Sequence, residues 1–198
     1  MDDFTRGNDY PQEPDPDDGP APSLGPSHLL IALFPDRGVQ RAIEAHRKDW
    51  IWTKSSRFPP SQRLHLTLHA LDDQRDAVLQ RLDESLSDIP MRPLDLVLDS
   101  SRTWNNDIAV MQTAEHDGLR ALHRRISFAV AHAGIATRTP RLTPHITIAR
   151  KTTGAACPRN PLSIRWPVNN FLLVRSWPSH PARHEVLASY GPGENDGV

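Results

Sequence analysis

The tetrapeptide His65-Leu66-Thr67-Leu68 occurs a second time as His145-Ile146-Thr147-Ile148. Side chains alternate between the two faces of a strand, so each histidine shares a face with the threonine two residues later. The leucines or isoleucines of each copy point the opposite way and form an apolar back. The two copies therefore predict strands that each present an imidazole and a hydroxyl side by side, and two such strands brought together would face one cleft.

The surroundings of the two copies are also similar. Each is the second strand of a strand–helix–loop–strand segment, over residues 29–70 and 108–150. His65 follows Leu29 by 36 residues, and His145 follows Ile108 by 37. The repeat predicts two duplicated halves, and the alternative is a chance likeness between two segments of a common type.

Apolar periodicity predicts the remaining elements. A loop is expected to run through Pro167. The mixture of strands and helices favours an α+β sandwich over a doubly wound parallel sheet. The predicted strands cover 29–34, 64–70, 94–98, 108–111, 144–149, 171–175 and 185–190, and the helices 39–50, 78–86 and 119–134.

The near-neutral net charge of -1 hides two parts of opposite sign. Residues 1–26 hold seven acids, one arginine and six of the 19 prolines, which predicts a disordered acidic tail. The predicted domain covers 27–191, followed by a frayed end at 192–198. The chain from residue 27 onward is basic, with 22 Lys and Arg against 17 Asp and Glu, as a protein with an anionic partner can be.

Composition excludes several classes. A single cysteine, Cys157, excludes an intrachain disulfide and a cysteine-rich metal site, and it favours a reducing, cytoplasmic location. No apolar run approaches the roughly 20 residues of a membrane-spanning helix, so no membrane partner is expected. No obligate protein partner is indicated, and a monomer is expected.

Two facing imidazoles suit phosphoryl chemistry near neutral pH, because one can act as a base while the other acts as an acid. The hydroxyls of Thr67 and Thr147 would stabilise charge on the non-bridging oxygens. A zinc site would need a third ligand, and the sequence offers no cluster of suitable residues nearby. The alternative for each histidine alone is an ordinary polar residue on a half-exposed strand.

These motifs resemble those of the 2H phosphoesterase superfamily, and within it the RNA 2′,3′-cyclic phosphodiesterases, also called the 2′-5′ RNA ligase family. The resemblance covers about residues 28–190. It rests on four stretches, of which the third is the most specific: 28–35 (HLLIALFP), 57–68 (RFPPSQRLHLTL), 143–150 (TPHITIAR) and 172–176 (LLVRS).

The resemblance implies a bilobal α+β fold, in which two antiparallel sheets flank a cleft and carry their helices outside. It also implies metal-independent opening of an RNA 2′,3′-cyclic phosphate to a 2′-phosphate, with no cofactor and possible reversal as 2′-5′ ligation. By analogy His65 would be the acid and His145 the base. Departures from the family occur at 69–72, at Phe58 and in the acidic tail, and they leave the substrate less defined than the reaction.

Five further residues are candidates for substrate or phosphate contacts. Arg150 matches the family's basic residue after the second motif, but strict alternation puts it on the face opposite His145. For the other four, the alternative to a substrate contact is a solvated strand end or ordinary packing. The same alternative applies to Trp104, which with Phe58 is a candidate for base stacking. Lys151, Arg63 and His69 have the strand parity of the histidines, and Phe58 precedes the first motif.

Two other functions remain open on the sequence. One is a cyclic phosphodiesterase for small nucleotides such as ADP-ribose cyclic phosphate. The other is a module that binds RNA or nucleotides on the same fold without turnover. The expected partner is thus an RNA end or a nucleotide bearing a cyclic phosphate.

Overall fold

A computed structural model describes residues 27–138, 141–177 and 183–192. The predicted tail, 1–26, and nearly all of the predicted frayed end lie outside these ranges. A short 3-10 helix, Ser61–Arg63, precedes the first motif. The other elements are β1 His28–Leu33, α1 Arg37–Lys48, β2 Leu66–Asp72, α2 Asp76–Ser87, β3 Leu94–Trp104, β4 Ile108–Thr113, α3 Asp117–His132, β5 His145–Arg150, β6 Ile164–Val168, β7 Phe171–Trp177 and β8 Arg183–Tyr190.

The strands form an antiparallel sheet in the order β6-β3-β4-β5-β2-β1-β7-β8. A two-fold operation between β5 and β2 exchanges β4 with β1, β3 with β7 and β6 with β8. Within the described sheet, the first half, β1, β2, β7 and β8, pairs with the second half, β3 to β6, through one residue pair of β2 and β5, Leu66 opposite Ile146. The predicted α+β fold with duplicated halves is confirmed, and its two four-stranded sheets are continuous through that single pair.

Strand β6 was not expected, because Pro167 predicts a loop. The strand pairs with β3, where Pro167 lies opposite Asp95. An edge strand such as β6 tolerates proline, because it has one neighbouring strand only and its other side needs no amide hydrogen. Its Trp166 is fully buried and fixes the strand to the core.

In each half, one helix connects the two strands that lie nearest the middle of the whole sheet. Each of these helices packs against the other half. Helix α1 follows β1, begins where the Asp36 carboxylate accepts from the Val39 amide at 2.9 Å, and contacts β6. On its buried face, His46 Nε2 lies 2.9 Å from the Ser101 hydroxyl of β3. Helix α3 follows β4 and packs on β2 of the first half. The two halves therefore share one core.

Helix α3 follows the predicted apolar stripe and ends where the sequence indicates. Its Leu119, Leu122, Ile126 and Val130 are buried. Just beyond it, Gly134 has a φ of 78°, in the left-handed region that glycine adopts without strain. None of the helices in the described residues is long and apolar enough to cross a membrane.

A bulge interrupts the alternation of each motif strand at the same place. In β2, His69 lies opposite Ile31 and Thr67 opposite Ala32, so Leu68 is an extra residue. In β5, the register shift between the partners of Thr147 and Ala149 makes Ile148 the extra residue. A bulge reverses the faces of all residues that follow it on the strand.

The bulge at Leu68 shows that the parity prediction for His69 is wrong. Its side chain turns to the helical side, where it is fully buried and stacks on the His123 ring with centroids 4.5 Å apart. His69 Nδ1 lies 2.9 Å from the Thr137 hydroxyl, and Nε2 lies 3.1 Å from the Ser127 hydroxyl. His69 is therefore part of the packing between β2 and α3 and does not reach the cleft.

This burial makes stability sensitive to acid. Burial, reinforced by the neighbouring His123, lowers the pKa of His69 to about 4. Because an unfolded histidine titrates near 6.5, folding stability should be lost as the pH falls from about 6.5 towards 4, by up to about 3 kcal/mol from this residue. We expect His69→Gln to flatten that part of the pH dependence of the unfolding free energy, measured by urea denaturation. The exposed His132→Gln is the matched control, and an unchanged pH slope in His69→Gln would contradict the assignment.

Candidate active site

The two motif histidines are held in the same way. The Nδ1 atom of His65 lies 2.7 Å from the Arg63 carbonyl, and Nδ1 of His145 lies 2.7 Å from the Thr143 carbonyl. A carbonyl oxygen only accepts, so each Nδ1 carries a hydrogen and donates it. Both neutral rings are thereby fixed in the tautomer that leaves Nε2 to exchange a proton.

The pair Leu66–Ile146 sets the relation between the two motifs. The pair itself is Leu66 with Ile146; an antiparallel register continued by one residue in each direction would put His65 opposite Thr147 and His145 opposite Thr67. In that register the histidines are diagonal neighbours on adjacent strands, a relation in which residues are about 7–8 Å apart. The two imidazoles and the two hydroxyls thus occupy the corners of one patch on the face opposite the buried Leu66 and Ile146.

The second bulge brings Arg150 to this patch. The extra residue Ile148 sends Ala149 to the buried face and returns Arg150 to the face of His145. Two backbone hydrogen bonds of 2.9 Å with Arg57 anchor the end of the strand. The strict alternation that placed Arg150 on the opposite face is therefore wrong.

The strand alternation that made Lys151 a candidate does not apply to it. The strand ends at Arg150, and Lys151 follows in the left-handed region with a φ of 55°. Its carbonyl accepts a hydrogen bond from the Ser55 hydroxyl at 3.0 Å, and its side chain is exposed. Arg150 is the basic residue that the strand itself directs to the histidines.

Burial and nearby positive charge act on both imidazoles in the same direction. Burial is the main cause that lowers the pKa of His65, and positive charge on Arg63, His145 and Arg150 lowers it further. Burial and then Arg150 lower the pKa of His145. The influence of His145 on His65 shows that the two rings belong to one electrostatic site.

Aromatic side chains flank the two histidines differently. The ring of Trp104 lies 4.3 Å from that of His145, which places this stacking candidate at the site. Phe34 and His184 each lie 5.4 Å from the ring of His65. The sequence did not single out His184, because its proximity to the first motif depends on the order β2-β1-β7-β8 of the strands in the sheet.

Strand alternation placed Arg63 on the face of His65, but Arg63 lies in the 3-10 helix that precedes β2, where alternation does not apply. Its positive charge nevertheless acts on His65, and it lines a cavity together with Phe34 and His184. Phe58, by contrast, makes its contacts away from the two histidines. Its ring packs edge-on against Trp52 at 5.0 Å. In the part of the chain that the structure describes, no group of three or more His, Cys, Asp or Glu side chains is arranged to hold a metal ion.

The charge of Arg150 should be visible in the titration of both imidazoles. We expect Arg150→Gln to raise the pKa values of His65 and His145 towards 6.5, because it removes a positive charge that opposes their protonation. The measurement is the pH dependence of the imidazole proton and nitrogen chemical shifts. Arg159→Gln, at an exposed position, controls for net charge, and equal titration curves in the two variants would contradict the placement of Arg150.

Known structures share this architecture. A phosphoesterase crystal structure matches with a TM-score of 0.74 and 21% identity over 84% of this chain and 98% of its own. E. coli LigT complexed with 3′-AMP matches with a TM-score of 0.73 and 21% identity, over 84% and 98%. TT0787 of Thermus thermophilus follows with 0.69 and 22% identity, over 83% and 97%. At such identities these likenesses show the fold.

Sequence comparison identifies the family. No curated protein matches the chain. The profile of the 2′-5′ RNA ligase superfamily, however, matches residues 35–176, well over half of the chain and both histidine motifs. The protein therefore belongs to the 2′-5′ RNA ligase superfamily.

Proposed function

We propose that the protein is a metal-independent phosphodiesterase that opens 2′,3′-cyclic phosphates at RNA ends to 2′-phosphates. The observation that carries the proposal is the matched pair of Nδ1–carbonyl hydrogen bonds, at 2.7 Å each. They leave two Nε2 atoms in one patch, one for each proton that must move when a phosphodiester is hydrolysed. The same site could run in reverse as a 2′-5′ ligase.

The reaction needs one neutral and one protonated imidazole. Neutral His145 removes a proton from water as the water oxygen attacks phosphorus. The bond from phosphorus to the 3′ oxygen breaks, and protonated His65 gives its proton to that oxygen. The products are a 2′-phosphate and a free 3′ hydroxyl, and the two histidines recover their starting states by proton exchange with solvent.

The other groups of the patch stabilise charge on the phosphate. Thr67 and Thr147 lie on the strands beside the histidines and donate their hydroxyl hydrogens to the non-bridging oxygens. Arg150 supplies a positive charge on the same face. Because strands and bulges hold these groups before substrate arrives, little reorganisation accompanies the reaction.

The comparisons support a nucleotide substrate. E. coli LigT structures were solved with 3′-AMP, NADP+, phosphate and ATP. We extend this to an RNA end or a cyclic-phosphate nucleotide as the partner of the present site. The proposal includes a monomer in the cytoplasm, and the single cysteine supports the reducing compartment.

Loss of either histidine should abolish turnover. We expect His65→Ala and His145→Ala each to lower kcat on a 2′,3′-cyclic-phosphate oligonucleotide by about 100-fold to 10,000-fold, because each removes one proton-transfer group. The assay contains EDTA and uses the exposed His132→Ala as its control. Binding without turnover by the native protein would indicate a binding module, and a requirement for added metal would rule out the mechanism.

The rate should depend on pH as a bell-shaped curve. Burial and positive neighbours lower the pKa values of both histidines. The form in which one histidine is protonated and the other is neutral is therefore most populated below pH 6.5. We expect kcat/KM to be greatest below 6.5 and Arg150→Gln to move the maximum to higher pH. A flat profile between about pH 5 and 9 would speak against paired acid and base catalysis.

A further inference from the structure

A cavity of about 510 Å³ is lined by Phe34 and His184, whose rings each lie 5.4 Å from that of His65. This volume is within the range of pockets for small ligands, about 300–1,000 Å³. Most of its wall is apolar, and Val186 is 57% exposed there. The residues that form it include Phe34, Arg63, Leu172, Val174, His184 and Val186.

Arg63 carries a positive charge into this cavity without a carboxylate to balance it. Its Nε atom is buried and has no hydrogen-bond partner within the described ranges, and none of their ion pairs includes it. The cavity wall contains no acidic residue. A guanidinium in this position is suited to an anionic oxygen of a ligand, above all a phosphate.

His184 adds a second polar group. Its Nδ1 atom is buried and likewise lacks a hydrogen-bond partner in the described residues. Its ring meets Phe34 edge-on, with centroids 6.2 Å apart. Burial, followed by positive charge on His65 and Arg63, lowers the pKa of His184 to about 4, so the ring is neutral at physiological pH. A neutral imidazole suits a ribose hydroxyl or a base edge.

The assignment of His65 as the acid indicates which part of the substrate occupies the cavity. If His65 protonates the 3′ oxygen, the ribose that carries this oxygen lies on the His65 side of the phosphorus. The cavity lies on this side of the site, because two of its lining residues, Phe34 and His184, pack against the ring of His65. A ribose in this position would direct its base towards the apolar wall and its 5′ oxygen towards another part of the cavity.

We propose that this cavity binds the terminal nucleoside of the substrate, with Arg63 contacting its 5′-phosphate. The inference rests on the proposed function and specifies its substrate class. RNA ends of two or more nucleotides, and cyclic mononucleotides with a 5′-phosphate, are preferred over cyclic phosphates of plain nucleosides. The structure thus assigns Arg63 to recognition of the phosphate next to the reacting one.

Binding tests the cavity independently of turnover. Calorimetry compares adenosine 2′,5′-bisphosphate with 2′-AMP on the full chain, and we expect the bisphosphate to bind at least about tenfold tighter, the gain typical of a charge-assisted hydrogen bond. Arg63→Gln should reduce that ratio to below about threefold. Arg63→Lys should keep part of it, and Arg159→Gln should keep all of it. A ratio near one in the native protein, or a ratio unchanged in Arg63→Gln, would overturn the proposal.

Turnover separates this inference from the proposed function. We expect kcat/KM for 5′-phosphoadenosine 2′,3′-cyclic phosphate to exceed that for adenosine 2′,3′-cyclic phosphate by at least about tenfold, and Arg63→Gln to reduce the difference. Hydrolysis of both compounds at equal rates would overturn only the role of Arg63. Hydrolysis of neither, with the binding preference intact, would overturn the reaction and leave the phosphate contact standing.

Discussion

The single residue pair Leu66–Ile146 is the constraint on which the site depends. Both side chains are fully buried, and in the described residues they form the pair that joins strands β2 and β5 of the two halves. Since His65 and Thr67 flank one member, and His145 and Thr147 the other, packing beneath the sheet fixes the relation of the groups above it. The apolar residues of the motif thus position the polar ones.

Short-range sequence patterns predict much of the candidate site. The alternation of His65 with Leu66, and of His145 with Ile146, identifies the strands, the face and the pairing of two imidazoles. The same rule failed after Thr67 and Thr147, because a bulge is a property of two paired strands and leaves little trace in one of them. His184 was missed for a related reason, since its proximity to His65 depends on the order of four strands.

The two sides of the site differ despite the duplication. By the register of the bulges, the position of Arg150 in the second half corresponds to Ala70 in the first. The first half instead has Arg63, displaced from the strand and beside a cavity, whereas Trp104 flanks His145. A symmetric frame thus holds an asymmetric set of contacts, which suits a phosphodiester with different groups on its two ester oxygens.

The exchange of helices between the halves has a consequence for how the protein folds. The first half consists of β1, β2, β7 and β8, so it contains both the beginning and the end of the domain. Its core is completed by α3 from the middle of the chain, and α1 covers the opposite half. The first half is therefore discontinuous in sequence, whereas the four strands of the second half lie within residues 94–168. The long-range pairing of β1 with β7 slows folding. The first half therefore cannot be completed until β8, its last strand, has been synthesised.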